Sequence, residues 1–142
     1  MAYTFRFRDV LAQQDAILDG LIVTIELSAV TITVGFVFGT LVAIVLLYGR
    51  PWARAIARSY VEVIRNTPLI VQLFLIFFGL PAIGIKLDVM TASLLALSIN
   101  LTAYTAEIVR AGFESIPKSQ IEAGISLGLT GPQIFRLSLI HI

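Results

Sequence analysis

Three stretches of this chain contain no Asp, Glu, Lys or Arg and are long enough to cross a lipid bilayer. They extend over residues 27–49, 66–85 and 89–106. About 20 apolar residues in a helix span a hydrocarbon core of about 30 Å. A backbone in hydrocarbon must satisfy its own hydrogen bonds, so each stretch is expected to be helical. The sequence therefore predicts an all-α integral membrane protein with spans at about residues 21–48, 60–84 and 88–110.

The composition excludes several other classes of protein. Hydrophobic residues make up 58% of the 142 residues and charged residues 13%, which a water-soluble domain of this size could not bury. Cysteine is absent and histidine occurs once, so a Cys/His zinc site is not expected. The chain also lacks a glycine-rich phosphate loop with Lys-Ser or Lys-Thr. We expect no catalytic residue, no metal site and no bound cofactor in this chain, and no nucleic-acid partner.

The basic residues indicate the orientation in the membrane. Two connections are rich in them, one between the first and second spans and one after the third, whereas the link between the second and third spans holds only Lys86. The basic residues of the richer connections are Arg50, Arg54, Arg58, Arg110, Lys118 and Arg136. The positive-inside rule makes both connections cytoplasmic. The N-terminus is then outside, with residues 9–20 predicted to form an amphipathic segment along the outer interface.

Small residues recur every third or fourth position along the first span. They are Thr24, Ser28, Thr31, Gly35, Gly39 and Ala43. Such a stripe lets a second helix approach closely, so we expect it to be a packing surface.

The second span contains a helix-breaking proline and one interior amide. Pro68 lacks a backbone donor and biases Thr67 away from helical geometry, which predicts a break or kink near Thr67. Gln72 needs a partner in an apolar environment, so it should face protein or water. Glu62 and Arg65, three residues apart, can pair on one helix face, and a direct role in transport is the alternative.

The third span has a polar face. Asn100, Tyr104 and Glu107 are separated by four and three residues and therefore share one side of a helix. Together with Gln72 they are candidates for the lining of a pathway for a polar solute. The alternative is structural: Asn100 links two helices, and Glu107 pairs with Arg110 near the cytoplasmic interface.

Residues 111–137 have the signals of two short helices joined by a turn. Ser119 and Glu122 fit a capping box, and Thr130 with Gln133 repeats that pattern. Gly128 suits the left-handed residue that ends a helix. This charge-poor pair exposes apolar residues and is expected to dock on another molecule.

These residues also carry a resemblance to a known family. Glu122-Ala123-Gly124, with Gly128 four residues further on, resembles the EAA loop of permease subunits from binding-protein-dependent ABC importers. Residues 65–81 and 104–112 resemble the polar amino-acid branch of that family. The implied fold is the transmembrane domain of a type I ABC importer.

The resemblance implies an amino-acid permease subunit in a bacterial cytoplasmic (inner) membrane. Its implied partners are a second permease subunit, a solute-binding protein outside, and two ATPase subunits that bind ATP-Mg. The loop at about residues 111–137 would seat in a groove of the ATPase and transmit its movement. The implied coupling residues are Glu122, Ala123, Gly124, Gly128 and Leu129.

The end of the chain departs from the family pattern. Family members continue with further spans, whereas this sequence reads Leu139-Ile140-His141-Ile142 and stops. We therefore expect the C-terminal spans to be missing, through a fragment, a frameshift or an incomplete gene model. An inactive truncated permease, and a small membrane scaffold or channel component that needs no ATPase, remain alternative functions.

Overall fold

Every regular element in the described part of the chain is helical. The computed structural model describes residues 13–139, with side chains as far as residue 137. The helices are α1 (Gln14–Tyr48), α2 (Pro51–Arg65), α3 (Leu69–Phe74), α4 (Leu80–Ala82), α5 (Val89–Glu114), α6 (Lys118–Ser126) and α7 (Gly131–Leu139). A π-helical segment, Leu75–Gly79, joins α3 to α4. The all-α fold class predicted from the sequence is confirmed.

Two of these helices, α1 and α5, are long and apolar enough to cross a membrane. A third crossing is possible only if α2 and the α3–α4 segment are counted as one broken span, because they are bent by 104° relative to each other. The predicted break near Thr67 is found there, and we call residues 66–68 the elbow. The span predicted at 60–84 thus contains the end of α2 on one side of the elbow and the α3–α4 segment on the other.

The predicted interfacial segment at residues 9–20 is not a separate element. Residues 14–20 are the first turns of α1, which continues without interruption to Tyr48. No proline interrupts this stretch, and Gly20 is tolerated within the helix at a modest cost. Residues 9–12 lie outside the described part of the chain.

The stripe of small residues on α1 packs against α5. Thr31, Gly35, Gly39 and Ala43 are buried, whereas Thr24 and Ser28 are exposed. Gly35 faces Leu101, and Gly39 faces Thr105 of α5. The predicted packing surface is therefore confirmed for its second half, where glycine and alanine bring the two helices close together.

A small apolar core forms where α1, α2 and α5 meet. Leu46, Val61, Ala103 and Ala106 are its buried members. Tyr60 packs on this core, and its hydroxyl donates to the Ile99 carbonyl oxygen of α5 at 2.7 Å. These contacts fix α2 against α5 just before the elbow, and so position the polar side chains that follow.

Candidate functional site

The side chain of Gln72 closes the elbow from inside. It is only 5% exposed. Its Nε2 donates to the carbonyl oxygens of Ile64, at 2.8 Å, and Thr67, at 2.9 Å. The break leaves the Thr67 carbonyl without a backbone donor among the described residues, whereas the Ile64 carbonyl also accepts from the Thr67 amide at 3.3 Å. Gln72 supplies them with donors, and the prediction that it faces protein is confirmed.

The same amide is tied to the third predicted span. Asn100 of α5 donates from Nδ2 to Gln72 Oε1 at 3.2 Å. Both amide hydrogens of Gln72 are thus used at the elbow, and its oxygen is used by α5. This geometry favours the structural interpretation of Asn100 as a link between two helices.

Tyr104 and Glu107 lie further along the same face of α5, and Arg65 contacts both. The Arg65 guanidinium lies 5.7 Å from the centroid of the Tyr104 ring, within the range of a cation–π contact. Its Nη1 is 3.5 Å from Glu107 Oε1. Tyr104 remains 41% exposed, so much of its ring is accessible from outside the chain.

Glu107 is the centre of a charged cluster. Arg110 binds both of its carboxylate oxygens, with Nε to Oε2 at 3.0 Å and Nη2 to Oε1 at 2.6 Å. Arg110 also pairs with Glu114 through Nη1. The predicted Glu107–Arg110 pair is confirmed, and we call Arg65, Glu107, Arg110 and Glu114 the charged cluster.

The predicted pair between Glu62 and Arg65 is wrong. Arg65 is the last residue of α2 and reaches across to α5 instead. A cavity of about 230 Å³ lies between the two helices at this point. Its lining consists of Leu46, Val61, Arg58, Glu62, Arg65, Glu107 and Arg110. The position of Arg65 just before the break was the one local signal that its side chain could leave the helix face.

The two short helices α6 and α7, which we call the terminal helix pair, are joined by a well-defined turn. Gly128 has a φ of +75°, which favours glycine. The Leu129 amide donates to the Gly124 carbonyl at 3.0 Å, and the Gly128 amide donates to that of Ile125 at 2.9 Å. These two bonds form a Schellman motif. The predicted left-handed glycine is confirmed.

The two predicted start signals have different outcomes. The capping box at Ser119 and Glu122 is wrong, because α6 already begins at Lys118 after Pro117 and has no side-chain cap. The signal at Thr130 is confirmed for one half of the capping box, in which the Gln133 side chain reaches back to Thr130. There the Thr130 amide and hydroxyl both donate to Gln133 Oε1, each at 2.8 Å.

Gly124 allows the two helices of the pair to pack closely. It is buried, and a Cβ at this position would lie 2.7 Å from Ile134 Cγ1. Glu122, Ala123, Ile125 and Leu127 of α6 are exposed, with Leu127 at 78%. The pair therefore exposes large apolar side chains, Ile125, Leu127, Phe135 and Leu137, among the charged residues Lys118, Glu122 and Arg136.

The terminal helix pair is also connected to the ends of the long helices. The rings of Phe113 in α5 and Phe135 in α7 lie 5.4 Å apart, centroid to centroid. Beside them is an apolar cavity of about 430 Å³, which Leu47 and Tyr48 of α1 also line. The Phe113–Phe135 contact thus joins the pair to the end of α5.

Long apolar helices packed through glycine, a span broken at an elbow, and a helix pair joined by a Schellman turn make up the fold of a type I ABC transporter permease. Residues 35–140 match the family described as binding-protein-dependent transport system inner membrane component. The chain belongs to this family, whose members are transport permeases of the bacterial inner membrane rather than catalytic subunits.

Individual relatives agree with this assignment. The L-cystine transport system permease protein TcyL of Bacillus subtilis (strain 168) is 39% identical over 80% of this chain and 51% of its own length. The probable glutamine ABC transporter permease protein GlnP of the same organism is 43% identical over 81% of this chain and 53% of its own length. The chain thus spans about half the length of these curated relatives.

A solved structure confirms the fold. The crystal structure of an amino acid ABC transporter with histidines superimposes with a TM-score of 0.87 and 38% sequence identity. The match covers 97% of this chain and 64% of that chain.

Proposed function

We propose that this chain forms part of the permease subunit of an ATP-driven importer that carries amino acids across the inner membrane. The observation that carries the proposal is the exposed apolar surface of the terminal helix pair, built on the Schellman turn at Gly128. The names of the relatives, which transport cystine or glutamine, support an amino acid as the solute.

The terminal helix pair would couple the permease to an ATPase subunit that binds ATP-Mg. Glu122 and Ala123 are exposed on α6 and would contact the ATPase directly. Gly124, Gly128 and Leu129 would act indirectly, because they set how α6 packs and ends. Through Phe113 and Phe135, a displacement of the pair would reach α5 and the solute pathway.

The proposed pathway lining is the exposed part of the polar face on α5. Tyr104 offers an accessible ring and hydroxyl, and Glu107 carries charge held in place by two arginines. Gln72 and Asn100 would not contact the solute but would act as positioning residues that hold the elbow against α5. A second permease subunit would complete the pathway, and an outer solute-binding protein would deliver the amino acid.

Site-directed cross-linking tests the coupling role, and the chain suits it because it contains no cysteine. A single cysteine at Leu127 should cross-link to an ATPase subunit labelled with a photoreactive ATP analogue. The matched control is a cysteine at Ile83, which is similarly exposed at 71% but lies in the connection between α4 and α5. We expect a labelled product from Leu127→Cys alone.

The same experiment separates the proposal from its alternative. Equal amounts of labelled product from the two cysteine variants would contradict the coupling role of the terminal helix pair. Absence of any labelled product, with the chain correctly inserted, would favour a membrane scaffold that needs no ATPase.

A further inference from the structure

Arg65 is held in the charged cluster by two weak contacts. Its Nη1 lies 3.5 Å from Glu107 Oε1, and its guanidinium lies 5.7 Å from the centroid of the Tyr104 ring. Arg110 already binds both oxygens of the same carboxylate, at 3.0 and 2.6 Å. Arg65 is therefore a second cation beside a carboxylate that another arginine neutralises. Its own side chain remains 41% exposed.

A second carboxylate lies near Arg65 on its own helix. Glu62 is three residues earlier in α2, and residues three apart are neighbours on a helix surface. Within residues 13–139, the Glu62 carboxylate forms no ion pair. Arg58, four residues before Glu62, forms none in that range either, so Glu62 is not committed to another cation. The pair that the spacing of Glu62 and Arg65 predicts is absent from this structure, but both of its members are available.

The two carboxylates face one common space. Glu62 of α2 and Glu107 of α5 both line the cavity of about 230 Å³ between these helices, and Arg65 lines it as well. Arg65 is the last residue of α2 and is followed by the elbow rather than by another helical turn. Its side chain therefore has room to move between the two carboxylates while both helices stay in place.

The two arrangements of Arg65 are similar in strength. A cation–π contact at an exposed site and an ion pair on a helix surface each shift an equilibrium by no more than roughly five-fold. Neither arrangement excludes the other on energetic grounds. Rotamers of exposed side chains interconvert within nanoseconds, so the two arrangements exchange rapidly.

We propose that Arg65 is a side-chain gate that exchanges between Glu107 and Glu62. In the arrangement seen here, its guanidinium covers one side of the Tyr104 ring and contacts Glu107. In the other, it pairs with Glu62 along α2 and leaves Tyr104 and Glu107 uncovered. Arg110 keeps the Glu107 carboxylate in place in both. That this uncovering admits a solute rests on the proposed function, whereas the exchange is a property of the chain alone.

Fluorine NMR at Tyr104 measures the exchange. The purified chain would carry 3-fluorotyrosine at this position and would be placed in nanodiscs without ATPase or solute. Rapid exchange gives one resonance, whose position is the population-weighted average of the two arrangements. Arg65→Gln defines the limit in which no guanidinium lies over the ring. The separation of the resonance from this limit then measures the population of Arg65 at Tyr104.

Substitution of Glu62 separates the two arrangements. Glu62→Gln removes one of the two partners, so the separation from the Arg65→Gln limit should increase. The ratio of the population at Tyr104 to the population at Glu62 should rise by up to roughly five-fold. In the Arg65→Gln background, Glu62→Gln should leave the resonance unchanged. Glu26→Gln, the same loss of charge in the first half of α1, should also leave it unchanged.

Three results would overturn the proposal. An unchanged resonance in Glu62→Gln would show that Glu62 is not a partner of Arg65. An equal shift from Glu62→Gln in the Arg65→Gln background would show that the ring senses Glu62 without the arginine. An equal shift in Glu26→Gln would assign the effect to net charge. None of these results depends on the cross-link at Leu127, so failure of the gate and failure of the importer assignment are distinguishable.

Discussion

A methyl group added to Gly39 would come within 2.5 Å of Thr105 Cβ and within 2.9 Å of the Thr102 carbonyl oxygen. The backbones of α1 and α5 are therefore nearly in contact at this point. Because one of the two neighbours is a backbone atom, no change of side-chain rotamer on α5 could make enough room. The close approach of the two long helices depends on this glycine.

Gly39→Ala is expected to destabilise the packing of α1 on α5 by about 1 to 3 kcal/mol, the usual cost of overpacking. The measurement is the free energy of unfolding in mixed micelles titrated with dodecyl sulfate. Gly20→Ala is the matched control, since a Cβ at Gly20 of the same helix meets no atom within 4 Å. Equal stability of the two variants would contradict the close contact.

Gln72→Met is expected to weaken the elbow while keeping the length of the side chain. The Thr67 carbonyl loses the donor that Gln72 provides, whereas the Ile64 carbonyl keeps a bond from the Thr67 amide at 3.3 Å. A buried carbonyl left without a partner costs about 1 to 3 kcal/mol. The change should appear in the unfolding free energy and as faster amide exchange around residues 66–68.

Asn100→Leu provides the comparison for the elbow. It removes only the bond to Gln72 Oε1, and a single hydrogen bond between membrane helices is worth about 0.6 kcal/mol on average. Gln72→Met removes this bond as well as the elbow bonds, so an equal loss in the two variants would mean that the link to α5, and not the closure of the elbow, is the main role of Gln72.

Gly124→Ala tests the packing of the terminal helix pair. Alanine favours the helix by about 1 kcal/mol over glycine, but its Cβ would collide with Ile134 Cγ1, at a cost of about 1 to 3 kcal/mol. We expect a net loss of up to about 2 kcal/mol in the stability of the pair, measured by amide exchange in α6 and α7.

The second substitution Ile134→Ala should compensate for Gly124→Ala, because it removes the atom that the new methyl group would meet. The double variant is then less destabilised than the sum of the two single variants. Strict additivity would show that the two positions do not contact each other.

Asp88 gives the start of α5 a dependence on pH. A hydrogen bond from the Thr91 hydroxyl, and then one from the Thr91 amide, hold the pKa of the Asp88 carboxyl below its ordinary value. A group whose pKa is lowered by folding stabilises the folded state above its unfolded pKa. This contribution is lost as the pH falls through the lower, folded value.

The matched variant for this cap is Asp88→Asn, because asparagine also caps helices but does not titrate in this range. The difference in unfolding free energy between the two chains should be constant above about pH 5. Below about pH 4 the unsubstituted chain should lose stability relative to Asp88→Asn. A constant difference down to acid pH would show that the carboxylate does not hold the cap.

The elements that local rules govern were predictable from the sequence. Pro68 predicts the elbow because proline has no amide hydrogen to donate within a helix. Gly128 predicts the turn between α6 and α7 because glycine readily adopts the positive φ that such a turn requires. The stripe through Gly35 and Gly39 indicates close packing, although nothing in its spacing identifies α5 as the partner. Periodicity and turn chemistry are short-range properties, and they are read directly from the residues.

The parts that depend on tertiary contacts were not predictable in the same way. The spacing of Glu62 and Arg65 suggested a pair, but the break after Arg65 lets its side chain reach Glu107, which is 42 positions further along the chain. Ser119 fitted a capping box, but Pro117 had already started the helix two residues earlier. In both cases a correct local preference was overridden by a neighbouring residue that the pattern did not include.

The broken second crossing has a consequence for the shape of the bilayer around the protein. From Leu69 to Ala82 the chain has 14 residues, which at 1.5 Å per residue reach about 21 Å, and the π-helical segment shortens this further. The hydrocarbon core is about 30 Å thick, so this segment cannot reach both surfaces by itself. Where this segment crosses alone, the lipid next to it must thin or a recess must open at one of its ends.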